Sequence, residues 1–130
     1  MVTITDEKEI YVGAYGTLRD GCSNNRLLTN SEHLGTGQTI EKYTLRANGI
    51  PFVSKEPLHN VVIDVYKVDD STLKRLDSLE GYDPKNHNGS WYKREQIPVK
   101  IGNKILNAWL YFNEGYSHLP IIKSGDYKKR

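Results

Sequence analysis

The run KILNAWLYFN, residues 104–113, constrains the fold more than any other stretch of this chain. Read with a strand period of two, Leu106, Ala108, Leu110 and Phe112 share one face, while Ile105, Trp109 and Tyr111 share the other. A strand apolar on both faces has no side to give to water, so it lies deep in a sheet. A second strand, WYKREQIPVKI (91–101), precedes it across a Gly-Asn pair, which predicts a hairpin. Pro98 lacks an N–H and belongs at an edge or a bulge.

Further strands follow from the same reasoning. EIYVGAY (9–15) is short and apolar on both faces, NVVIDVYKV (60–68) is rich in β-branched residues, and QTIEKYTLRA (38–47) is strand-like. Gly35 and Gly37 punctuate the chain before the last of these, and the Asn48-Gly49 turn leads into IPFVS (50–54). Ser23 is placed to cap a short helix over 24–29, with Leu27 and Leu28 turned inward. In DDSTLKRLDSLEG (69–81) the period changes: Leu73, Leu76 and Leu79 have helical spacing, an Asp or Ser can cap the start, and Gly81 stands just past the end. YDPKNHNGS (82–90) is a loop by composition. Five to seven strands and one or two short helices make an α+β fold, a curled or barrel-like mixed sheet with helices packed outside. With no repeat or linker, residues 1–130 read as one domain with its core over about 9–127.

Composition narrows the function classes. Apolar residues are 37% and charged residues 26%, ordinary for a folded chain, and nine tyrosines favour strands. A formal net charge of +2 makes no case for nucleic acid, and the closing YKKR reads as a solvated tail. One cysteine, Cys22, allows no internal disulfide and fits a reducing compartment. The first ten residues lack the apolar run of a signal peptide, and nothing approaches the roughly 20 apolar residues of a membrane helix. A cytoplasmic protein without membrane contact is the expectation.

Few residues qualify for chemistry. Glu80 closes the helix just before Gly81, at the helix end whose partial negative charge disfavours a carboxylate. Partial burial there would raise its pKa toward neutrality, as a general acid or base requires; a solvated Glu in the last turn is the plainer alternative. After the strand at 9–15, the amides of Gly16, Thr17, Leu18 and Arg19 would emerge together, forming either an anion-binding nest or a simple glycine turn. GTLRDG lacks the Gly-Lys-Ser/Thr ending of a P-loop. Cys22 as a nucleophile needs a basic partner, but His33, His59, His87 and His118 are scattered, so packing is its better role. That scatter and the lack of a Cys pair also argue against a metal site. Arg19 and Arg94 can each grip a carboxylate or form a structural ion pair. One or two of Tyr15, Tyr82, Trp91, Tyr92, Tyr111 and Tyr127 can line a pocket.

YVGAYGTLRDGCSNN, then LDSLEGYD, WYKREQIPV, AWLYF and a closing SGDY resemble, in that order, the gamma-glutamylcyclotransferase-like family. The short length is most similar to its gamma-glutamylamine cyclotransferase branch and small bacterial and plant relatives. The resemblance implies a compact mixed β-barrel flanked by short helices. It implies a cyclotransferase that closes a γ-glutamyl amide on its own α-amine, giving 5-oxoproline and a free amine without metal or cofactor. It matches Glu80 to the catalytic acid/base, and Tyr15, Gly16, Thr17 and Leu18 to the loop that binds the glutamyl moiety. Residues 19–23, RDGCS, depart from the Lys-Arg-Gly and Pro-Asn pattern frequent among relatives. The alternative is a non-enzymatic binding or regulatory module that keeps the pocket.

Overall fold

The computed structural model describes residues 2–3, 9–19, 21–22, 24–29, 31–48 and 50–129, with only the backbone for Val2, Thr3 and His87. The elements in chain order are β1 (Val2–Thr3), β2 (Ile10–Ala14), β3 (Glu32–Thr39), β4 (Tyr43–Asn48), β5 (Ile50–His59), β6 (Val62–Val68), α1 (Asp70–Leu79), β7 (Lys93–Ile101) and β8 (Lys104–Phe112). Strands pair in the order β8-β2-β6-β3-β7, and β7 returns to β8, closing a five-stranded barrel. β2 runs parallel to β8 and the other barrel pairs are antiparallel, so the sheet is mixed. β1 adds a short parallel pair to β8, and β4 with β5 form a separate hairpin. Closure removes every free edge from the barrel.

One face of β8 is buried and the other is buried at Tyr111 and half-buried at Ile105 and Trp109, for the reason its sequence suggests. Leu106, Ala108, Leu110 and Phe112 join Tyr11, Ile63, Val65 and Val99 in the barrel core. Tyr111 and Trp109 belong to a second apolar layer with Val12, Ala14, Tyr66, Leu73 and Leu76 beneath α1. Leu76 is fully buried there, where truncation to Ala costs about 2–5 kcal/mol.

The helix is bounded by its own chemistry. Asp69 is the N-cap, its side chain accepting from the Thr72 amide at 2.7 Å. At the other end Gly81 takes φ +63°, the Gly81 amide donates to Ser78 O at 3.3 Å, and the Tyr82 amide donates to Asp77 O at 2.8 Å. This is a Schellman ending, and it makes Glu80 the C-cap residue.

The expected single strand over 38–47 is broken: β3 ends at Thr39 and β4 begins at Tyr43. The Asn60 side chain donates to Thr39 O and Ile40 O, at 2.9 and 3.1 Å, and holds the chain where it leaves the barrel. Gly35 and Gly37 do not interrupt the structure but lie inside β3, which shifts register between His33 and Gly35, as glycine at a bulge allows. The short helix near residue 24 is a 3₁₀ turn, Asn25–Leu28, without a side-chain cap; Ser23, like Gly49 of the expected turn, lies outside the described residues. The loop at 82–90 contains 3₁₀ turns over Pro84–Gly89. Tyr127 of the basic ending is buried and packs with the barrel core.

Candidate active site

β2 ends at Ala14, and the next four residues fold into a turn that uses its carbonyls and spares its amides. Gly16 O accepts from the Arg19 amide at 3.0 Å, Thr17 O from the Asn24 amide at 2.8 Å, and Leu18 O from the Asn25 side chain at 2.9 Å. Among the described residues no acceptor takes the amides of Gly16, Thr17 or Leu18. The expected fourth free amide, that of Arg19, is spent in closing the turn.

Arg19 is not a ligand of the cavity. Its buried guanidinium faces Asp64 of β6 through Nε at 3.3 Å and Nη2 at 3.5 Å, and Asp126 through Nη1 at 2.5 Å. Asp64 also accepts from Thr36 Oγ1 at 2.7 Å, so its buried charge is paired and hydrogen-bonded. Asp126 belongs to SGDY, so that motif anchors the loop's far end.

Across from this loop stands Glu80. The Tyr92 amide donates to Glu80 O at 3.3 Å and the Trp91 amide to Gly81 O at 3.1 Å, tying the helix end to the segment before β7. One cavity of about 180 Å³ is lined by Tyr15, Gly16, Thr17 and Leu18 together with Glu80. Pro51, Tyr92 and Tyr111 also face it. The two stretches therefore meet at one hollow, between the end of β2 and the end of α1.

The electrostatics follow from what surrounds the carboxyl. Three phenols rim the cavity, yet each donates away from Glu80: Tyr15 to Tyr111 O, Tyr92 to Pro51 O and Tyr111 to Asp77 Oδ1, all at 2.7 Å. Burial, with the Glu80 charge adding to it, holds the phenols of Tyr15 and Tyr92 far above the ordinary tyrosine value, so they stay protonated. No described residue hydrogen-bonds or ion-pairs the Glu80 carboxyl, and burial pushes it up to about 7. Asp77, one turn earlier, is also raised by burial, while Tyr111 and Arg94 pull it the other way.

Arg94 lies outside this cavity. Its Nε is 3.3 Å from Asp77 Oδ1 and its guanidinium stacks 4.4 Å from the Trp109 ring, which makes it a structural ion pair. Of the six aromatic candidates, four line the cavity (Tyr15, Trp91, Tyr92 and Tyr111) where one or two were expected. Asn24, Ile50 and Pro51 also line it and were not anticipated. Cys22 is half-buried, and the histidines with described side chains are engaged elsewhere: His33 stacks on Tyr66, His59 accepts from the Leu45 amide, and His118 tilts against Tyr116. Among the described residues, no three His, Cys, Asp or Glu side chains converge to hold a metal ion, and no helix is long and apolar enough to cross a membrane.

Gly16 is required here for a reason beyond access to the cradle. A Cβ at this position would stand 2.2 Å from Pro51 Cγ, and Pro51 O holds the Tyr92 hydroxyl. Gly16→Val is therefore expected to weaken ligand affinity and to cost ~1–3 kcal/mol through overpacking. Direct ligand titration and urea unfolding check both effects; unchanged affinity would contradict the loop's binding role.

A closed barrel of five mixed strands with one α-helix, and a carboxyl-bearing cavity at the end of its second strand, defines the class. The sequence profile of the family described as "Gamma-glutamyl cyclotransferase, AIG2-like" matches residues 12–129, and the chain belongs to that family. The Methanocaldococcus jannaschii protein named "Putative gamma-glutamylcyclotransferase MJ1514" is 40% identical over 121 residues, covering 91% of this chain and 95% of its own. The Escherichia coli protein named "Gamma-glutamylcyclotransferase family protein YtfP" is 31% identical over 118 residues, covering 89% and 94%. Among solved structures, the Pyrococcus horikoshii protein PH0828 superposes with a TM-score of 0.74 at 25% identity, over 92% of this chain and 91% of that one. An AIG2-like protein of Mus musculus shares the fold, with a TM-score of 0.74 at 23% identity over 90% and 88%.

Proposed function

We propose that the chain is a γ-glutamyl amide cyclotransferase in which Glu80 carries the protons. The observation that supports this best is the pairing within one hollow of an unpartnered carboxyl, raised to about 7, with a loop whose three amides are free to donate to an anionic oxygen. The names of the relatives point to the same reaction class.

The chemistry suits so small a site. The substrate brings its own nucleophile: the α-amine attacks the side-chain carbonyl, a C–N bond forms to close the five-membered ring, and the amide C–N bond breaks. Because attack is intramolecular, holding the chain in its ring-closing shape supplies much of the rate. The amides of Gly16, Thr17 and Leu18 receive a negatively charged oxygen of the folded substrate. Glu80, ionised, takes the proton that the attacking nitrogen loses, and returns one to the departing nitrogen. Counted from the free α-amine, one proton leaves and one arrives. Glu80 ends as it began, and no water is consumed. A carboxyl near pH 7 suits both halves of this exchange.

The test is incubation with γ-glutamyl amides and quantification of 5-oxoproline against released amine. Equal amounts of the two are expected. Free glutamate in place of 5-oxoproline would mean hydrolysis and contradict the mechanism. Tight binding without any product would favour the binding-module alternative.

A further inference from the structure

The amine half of the substrate has its own address in the fold. A cavity of about 180 Å³ is smaller than the ~300–1,000 Å³ clefts that enclose a whole ligand. A γ-glutamyl head therefore occupies the hollow, and the group on the far side of the scissile bond lies at the mouth. That mouth is apolar. Ile50, Trp91 and Leu79 line the cavity while remaining 52%, 47% and 41% exposed. Only two other large apolar side chains among the described residues are comparably exposed, Ile40 and Leu58, and neither lines this cavity. Exposed apolar groups gathered around one opening mark a contact surface rather than chance exposure.

Trp91 is also pre-set for such a contact. Its ring stands edge-on to Phe52 and Tyr92, with centroids 5.9 and 5.0 Å away, and its Nε1 donates to the Tyr116 hydroxyl at 3.2 Å. The polar edge is satisfied and the ring is braced from two sides, so a partner meets a held apolar surface. Charge is the other half of the case. Among the described residues no Lys, Arg, His or Asp lines the cavity, and Glu80 is the one carboxyl. Among those residues an amine bearing a carboxylate finds no lining cation, and one bearing an ammonium finds no anion besides Glu80.

Resting on the cyclotransferase reading, we infer that the departing amine is an uncharged apolar one, aryl or branched alkyl, packed against Trp91, Leu79 and Ile50. The start of β5, the end of α1 and the segment before β7 build this wall.

The experiment compares kcat/KM for γ-glutamyl benzylamide, γ-glutamyl methylamide and Nε-(γ-glutamyl)lysine, each read as 5-oxoproline formed. The benzylamide is expected to exceed both others by at least ~10-fold, the scale on which apolar pockets discriminate. Trp91→Ala should bring the benzyl-to-methyl ratio toward one. Ile50→Ser, at an exposed position, should lower the same ratio and serves if Trp91→Ala loosens the fold. Product from all three at equal efficiency, or a preference for the lysine compound, overturns this inference and leaves the cyclotransferase reading standing. No 5-oxoproline from any of them overturns both.

Discussion

Replacing Glu80 with Gln is expected to lower turnover of a γ-glutamyl amide by at least ~10²-fold, the usual scale for a general acid–base group, while substrate affinity persists. Gln keeps the shape and polarity of the side chain and removes only its ability to exchange a proton. The same variant should gain stability, and the sign is set by linkage. Glu80 titrates near 7 in the folded chain against an ordinary 4.5, so the folded state binds its proton more tightly. Its contribution is intact below about 4.5 and is lost as pH rises through about 7. Glu80→Gln should then be more stable than the native chain above pH 8, by at most about 3 kcal/mol, and equal to it at pH 4. Urea midpoints at the two pH values measure the difference. Native-like turnover in the variant would remove Glu80 from the mechanism.

The second large effect is structural. Arg19→Met should destabilise the fold by ~3–5 kcal/mol, because it strands the buried carboxylate of Asp64 and the largely buried one of Asp126 without their cation. Against the ~5–15 kcal/mol of a typical domain, that is a large fraction. The damage is expected to reach the site as well: Arg19 ends the loop whose residues line the cavity, and its own amide closes the turn on Gly16 O. Urea unfolding of Arg19→Met reads the stability. A loss under 1 kcal/mol would mean that the cluster is neither dry nor tightly coupled.

Much of this architecture was written in local sequence. β8 could be recognised because both its faces are apolar, and α1 because Asp69 and Gly81 mark its ends with capping chemistry confined to a few residues. Glu80 was locatable for the same reason: it directly precedes the glycine that terminates the helix. What local pattern could not reveal is pairing across distance. Arg19 and Asp126 are 107 positions apart, and neither carries a mark that it is half of a buried pair. Gly35 and Gly37 look like turn punctuation until β6 and β7 are seen flanking β3, where a bulge suits glycine. Ile50 and Pro51 join the cavity only because the β4–β5 hairpin folds its turn end against the loop after β2, a contact that no periodicity records.

One carboxyl, sharing a hollow with a loop of unpaired amides and left without a donor by three tyrosines, is proposed to hold or release its proton near neutrality. Carbon-13 NMR of the glutamate carboxyls, titrated from pH 3 to 9 with Glu80→Gln to assign the signal, tests this directly. The Glu80 resonance is expected to have its midpoint at about 7. A midpoint at the ordinary 4.5 would show a solvated carboxyl and leave the proposed chemistry without its proton carrier.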